Sequence, residues 1–300
     1  MSEPEPVASA GDLCGECPVW DPDIKNLFWT DCTGLAFRKY QPATGRFETV
    51  RTGIEIYGFR PNRNGGFVVT NTTGVWAWDG SGDFVCIARD AEGAPLQLND
   101  CTTDSAGRLI TASFFYNPAG PYPPGRLLRV DPDGRVSVLD EGFHLSNGLG
   151  FSPDERTLYF ADSATRQIWA YDYDVRSGSA TRRRLFVQVP ETQGIPDGLT
   201  VDSEGFVWSA QWYGGCVVRY DPDGREESRL AIPAKQTSSV AFGGPDLTDL
   251  FVTTAGKSEP MPIMPPGYDP DTGPFGGALY QVSTDVRGQA PAAAGISPPE

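Results

Sequence analysis

Histidine is almost absent from this 300-residue chain, which has only His144. That excludes a multi-histidine zinc site, and a Ser-His-Asp triad would have to rely on His144 alone, inside the apolar run Phe143-His144-Leu145. His144 is therefore expected to be a packed or rim residue. Glycine-rich phosphate loops that follow a strand and open a helix are missing too, which excludes the common nucleotide-binding fingerprints. No apolar run reaches membrane length, and the stretch from Met1 to Asp12 has neither a basic start nor an apolar stretch. A cytoplasmic protein without a membrane partner is expected. Positive charge is scarce: 24 Lys and Arg stand against 39 Asp and Glu, a net charge of -15. Nucleic acid is thus a poor partner, while a site that attracts cations is compatible with that balance.

The six cysteines, Cys14, Cys17, Cys32, Cys86, Cys101 and Cys216, are scattered and read as buried free thiols. Cys14-Gly-Glu-Cys17 has the spacing of a redox motif but lacks the strand-to-helix setting that such a motif needs.

What the chain does have is a repeat. Short β-rich runs recur, such as Leu27-Phe-Trp-Thr-Asp31, Leu158-Tyr-Phe-Ala-Asp162 and Leu250-Phe-Val-Thr-Thr254, separated by turns of the type Asp131-Pro-Asp-Gly134. The period is roughly 40 to 50 residues, with about six units and no convincing amphipathic helix between them, which is the period of four-stranded propeller blades. The reading is an all-β protein: a six-bladed β-propeller with four-stranded antiparallel blades, one domain over residues 1–300, with a two-sheet sandwich as the alternative. Residues 1–12 and the Pro-, Ala- and Gly-rich 288–300 are expected to be flexible tails.

Four polar residues occupy the same place in four repeats. Glu16, Asn99, Asn147 and Asp197 each stand five positions before a hairpin turn, which begins at Asp21, Asp104, Ser152 and Asp202. Equal register in blades around an axis means equal height along it, so these oxygen-bearing side chains should converge as in a metal cage. Taken singly, each is as well explained by turn capping or solvation. Extending the count five back from Arg60 and from Gly243 reaches Glu55 and Ser238. Glu55 is expected to face the same mouth, as an acid or base, a substrate-hydroxyl acceptor or a rim charge.

Gly15-Glu16 with Pro18 and Trp20, Asn99-Asp100 with Asp104, Ser146-Asn147-Gly with Phe151-Ser-Pro-Asp154, and Pro196-Asp197-Gly with Val201-Asp202 resemble the gluconolactonase and senescence marker protein-30 family. That family includes regucalcin and luciferin-regenerating enzymes, and the match runs from about Gly15 to about Gly288. The resemblance implies a six-bladed propeller that binds one divalent cation and hydrolyses lactones. It further implies Glu16, Asn147 and Asp197 as metal ligands, Asp197 as catalytic base, and Asn99 beside metal and substrate. The donor set is hard and oxygen-only, so calcium, magnesium, manganese, iron(II) or zinc would suit it. A small-molecule lactone is the expected partner, and the protein is expected to be a monomer or weak homo-oligomer. A calcium-binding propeller without turnover and an interaction scaffold are the competing classes.

The departures from the family concern specificity. Many sugar lactonases of this kind have an arginine two positions before the Asn-Asp pair, and Gln97 stands there. Two insertions, Phe114 to Gly125 and Lys257 to Phe275, fall in second-to-third strand connections that return to the active face. Phe114, Phe115, Tyr116, Tyr122, Met261, Met264 and Tyr268 are expected to form a partly apolar wall there, with Gln97, Glu55, Phe114, Tyr116 and Tyr122 meeting substrate. Such a wall suits aliphatic or deoxy lactones better than a densely hydroxylated sugar.

Overall fold

The computed structural model describes residues 1–114, 124–256 and 261–298, and among them no helix occurs. Six four-stranded antiparallel sheets are arranged as the blades of a propeller. Blade 1 runs through Gly15–Asp21, Asn26–Asp31, Ala36–Gln41 and Arg46–Thr52. Blades 2 to 5 follow in the same order, with inner strands Gly58–Pro61, Leu98–Thr103, Ser146–Phe151 and Ile195–Val201. Blade 6 takes three strands from Thr237–Gly243, Asp249–Thr254 and Leu279–Ser283, and its outermost from the N-terminus, Glu5–Ala8.

Burial falls from the axis outward. Ile195–Val201 is buried almost throughout, whereas Arg46–Thr52, at a blade's outer edge, is exposed almost throughout. This is the pattern expected of sheets that are covered on both faces near the axis and solvated at the rim. Apolar side chains fill each gap between neighbouring blades. Phe37, Phe59 and Trp78 pack blade 1 on blade 2, and Trp208, Val240 and Phe242 pack blade 5 on blade 6. Trp20, Trp29, Phe251 and Leu279 pack blade 6 on blade 1, where the ring closes. The Asp-Pro-Asp-Gly turns are closed by side chain and backbone together. Asp221 accepts from the Arg225 amide at 2.9 Å, and Gly224 has φ +81°, where a Cβ would also strike the Phe186 carbonyl at 2.2 Å.

The described parts of both tails lie against the propeller. The N-terminal strand pairs with Leu279–Ser283 through Glu5 opposite Gln281 and Pro6 opposite Tyr280. A proline there is tolerated because the strand is an edge, with a missing N–H on the unpaired side costing nothing. The C-terminal segment crosses the floor of the central channel. Gly288 bridges Asp202 and Ala294 bridges Asn62, while the Ala294 amide donates to the Pro61 carbonyl at 2.8 Å and that of Gly295 to Gly107 at 2.9 Å. Ala294 and Ile296 are fully buried between blades 2 and 3. Its small residues read as disorder from composition, yet small residues are what a crossing this close to six strand ends accommodates.

Candidate metal and substrate site

At the opposite mouth the inner strands break register. Pairing with the second strand slips between Glu16 and Val19, Leu98 and Cys101, Ser146 and Leu149, Pro196 and Leu199, and Thr237 and Ser239. Each slip is a bulge at the predicted register position, and bulges re-aim side chains. Glycine makes the arrangement tight. A Cβ on Gly148 would lie 2.3 Å from the Leu199 amide nitrogen and 2.6 Å from the Asp197 carbonyl, so Asn147-Gly and Asp197-Gly bring two blades into backbone contact.

Glu16, Asn99, Asn147 and Asp197 all line one cavity of about 440 Å³. Asn99 Nδ2 donates to Asn147 Oδ1 at 2.9 Å and to the Ser146 carbonyl at 2.8 Å. Asn147 Nδ2 donates to Ser163 Oγ at 2.9 Å, and that hydroxyl donates to the Pro196 carbonyl at 2.6 Å. These bonds use both amide hydrogens of Asn99 and one of Asn147, and leave the Asn99 amide oxygen and the second lone pair of Asn147 Oδ1 to meet a ligand.

Burial, then repulsion from Asp197 and Asp100, pushes the Glu16 carboxyl well above the usual carboxylate range, against the Cys17 amide that donates to it at 3.3 Å. Asp197 is pushed up in the same way by burial and by Asp100, against its neighbour Gly198 N–H. Asp100 itself is raised by burial and held back by the Arg60 guanidinium. A crowded set of like-charged oxygens is what a divalent cation would relieve, so the donor set fits a hard metal ion. Among the described residues no three of His, Cys, Asp and Glu form a metal-holding cluster. An ion here would therefore draw on the Asn147 amide oxygen as well as on the two carboxylates.

Glu55 lies outside the cavity lining, in the place of a rim charge. The hairpin turn of blade 2 begins at Asn62, whose amide donates to Gly66, as Asp104 does to Arg108 and Asp202 to Phe206. Five positions back from Asn62 is Tyr57, and it is Tyr57 that lines the cavity. The Glu55 carboxylate instead accepts from the Thr72 hydroxyl at 2.6 Å and is not part of the lining. Ser238 keeps the expected register but is fully buried, donating to the Gly15 carbonyl at 2.5 Å. Gln97 is exposed and outside the lining; its carbonyl accepts from the Phe114 amide at 2.7 Å. His144 is half-buried at the rim, its ring nitrogen 3.7 Å from Asp162.

Of the expected wall, Phe114 and Met261 line the cavity, joined by Tyr57, Trp212, Ile195 and Leu145, which the sequence did not single out. Met264 and Tyr268 pack behind, on Trp212 and Tyr213. Phe115, Tyr116 and Tyr122 lie outside the described residues. The blade 6 insertion is held down at two points: Arg166 donates to the carbonyls of Gly194 and Ile263, and Gln236 donates to the Tyr268 hydroxyl at 2.6 Å.

Residues 14–256 match the family described as the SMP-30/Gluconolactonase/LRE-like region. The chain belongs to this family. Among its relatives, it is 40% identical to pentonolactonase XacC of Haloferax volcanii over 92% of each chain. It is 32% identical to regucalcin of Xenopus laevis, covering 96% of this chain and 97% of the relative. The fold overlays that of a luciferin-regenerating enzyme with a TM-score of 0.86 at 28% identity, over 97% of this chain and 98% of the other. Membership accounts for the propeller.

Proposed function

We propose that this chain is a metal-dependent lactonase that opens a γ- or δ-lactone to its hydroxy acid. The observation that carries the reading is the meeting of Glu16, Asn99, Asn147 and Asp197 in one cavity beneath an apolar wall. The kinship with a protein named pentonolactonase supports it. A scaffold needs no such converging oxygens, and a calcium carrier needs no wall.

Glu16, Asn147 and Asp197 would hold one divalent cation, of which calcium, magnesium, manganese, iron(II) and zinc all suit the oxygens. Such an ion supplies Lewis acidity toward the lactone carbonyl and charge for the oxyanion that forms there. Asp197 takes a proton from the attacking water as its oxygen bonds to the carbonyl carbon. The ring carbon–oxygen bond then breaks, and the same proton passes from Asp197 to the leaving alkoxide. Asn99 orients the substrate, and Phe114, Trp212 and Met261 exclude water from its apolar edge.

The substrate class is an aldonolactone or a less hydroxylated aliphatic or deoxy lactone. Acid release from a panel of γ- and δ-lactones, before and after chelation and after adding back each ion, tests the assignment. Acid release lost on chelation and regained with an ion is expected. Ion binding with no acid release from any lactone would leave a non-catalytic cation-binding propeller.

A further inference from the structure

The wall of the same cavity contains two thiols that no step above uses. Cys14 and Cys32 both line it. They stand across from each other on the first hairpin of blade 1, one step beyond the paired residues Gly15 and Asp31. The Cys32 amide donates to the Cys14 carbonyl at 3.0 Å, which sets the two residues side by side across the hairpin. The Asp31 carboxylate fixes this end of the hairpin by accepting from the amides of Leu13 at 3.0 Å and Cys14 at 2.9 Å. Cross-strand neighbours have Cα atoms about 4.5 to 5.5 Å apart, inside the roughly 4.4 to 6.8 Å that a disulfide spans. Cys17, the partner suggested by the Cys-x-x-Cys spacing, faces away, with its sulfur 3.2 Å from Arg60 and 3.7 Å from the Phe59 carbonyl.

We propose that Cys14 and Cys32 form a reversible disulfide that switches the lactone site, with a low-mass disulfide such as oxidised glutathione as oxidant. One thiol attacks the glutathione disulfide, forming a mixed disulfide and releasing one glutathione thiol. The second thiol attacks the protein sulfur of that mixed disulfide and releases the other. The pair thus loses two electrons and two protons, which leave on two molecules of glutathione. The sulfurs close to about 2.05 Å, drawing in a segment that bridges blade 6 at Ala255 and leads two residues later to Glu16. This effect on turnover rests on the lactonase reading; the formation of the bond does not.

The metal-loaded protein, equilibrated with oxidised and then reduced glutathione, tests both parts. Free thiols counted after denaturation should fall from six to four. Peptide mapping should join Cys14 to Cys32, kcat/KM should fall at least threefold, and dithiothreitol should restore both. Cys32→Ser and Cys14→Ser should each abolish the link and the response to oxidation. Six thiols remaining, or a link between Cys17 and Cys101 instead, would overturn the site. The mapped link with unchanged turnover would overturn the switch, and a chain that turns over no lactone still yields the thiol count.

Discussion

The two mouths of the central channel are made by opposite ends of the same inner strands. At one mouth the inner strands of blades 1, 3, 4, 5 and 6 slip register, and Glu16, Asn99, Asn147 and Asp197 are turned onto a cavity. At the other the strands run in regular pairing into their turns, and residues 288–298 are laid across them, with Gln289 donating to the carbonyls of Phe151 and Val201 at 3.1 Å each. Chemistry sits where pairing is broken, because a bulge frees a side chain to aim at the axis. Stability sits where pairing is complete, because the carboxylates buried there, Asp104 and Asp202, are matched by Arg108 and Arg219.

The largest effect that separates the mouths should come from Asp197→Asn. An amide still offers an oxygen but takes no proton from water, so kcat/KM should fall by roughly 10²- to 10⁴-fold. The fold should not suffer. Because burial and Asp100 raise the folded carboxyl above its unfolded value, its ionised form costs stability, and that cost grows as pH rises through the folded value. In metal-stripped protein at neutral pH, thermal melting of Asp197→Asn should therefore match or exceed that of the parent. Near-parental turnover would remove Asp197 from the base role.

At the floor the effects should invert. Ile296→Ala removes a fully buried side chain between blades 2 and 3 and should cost about 2 to 4 kcal/mol by denaturant titration. Its kcat/KM should stay within about twofold of the parent, since the site lies at the other end of the strands. A large loss of turnover at unchanged stability would break the division of labour between the mouths.

How far the sequence disclosed this division follows from its chemistry. The repeat and the four register positions were legible because each relevant turn opens on Asp or Ser, whose side chain binds the turn backbone and so marks the strand's end. Blade 2 misled because a count that starts at Arg60 sets the turn two residues ahead of Asn62, on the near side of Pro61. Pro61 is the last rung of the strand, opposite Phe67, and is tolerated because an inner strand has a neighbour on one side only. The packing of the tails was not legible for a related reason: Pro6 and the Pro- and Gly-rich 288–298 suit edge and crossing positions as well as they suit disorder. Ser163, Trp212 and the Cys14–Cys32 pair were not legible because no local pattern reports which side chains a ring of blades brings together.

The corrected register of blade 2 can itself be sharpened. Tyr57 lines the cavity against Phe114, ring centroids 5.1 Å apart, while Glu55 is held by Thr72. Tyr57→Ala should lower kcat/KM about tenfold, equivalent to about 1.4 kcal/mol of transition-state binding. Glu55→Gln should change it by less than about threefold, as befits a carboxylate bound to a hydroxyl outside the lining. Equal losses in steady-state assays would restore Glu55 to the site.

The last effect concerns selectivity and depends on the wall alone. Met261 reaches the cavity from an insertion pinned by Arg166 and Gln236, and no arginine stands at position 97 to bind sugar hydroxyls. An alkyl substituent on a γ-lactone would bury its methylenes against Met261, Trp212 and Phe114, each methylene contributing roughly 0.8 kcal/mol. Met261→Ala removes part of that contact, so kcat/KM for a short alkyl γ-lactone should fall by about four- to fifteenfold, the equivalent of one to two methylenes. Gluconolactone presents hydroxyls to the same surface and gains little from it, so its kcat/KM should change by less than about twofold. A parallel loss on both substrates would mean that Met261 shapes the cavity without choosing its occupant, and selectivity would then have to come from the amide and carboxylate side of the mouth.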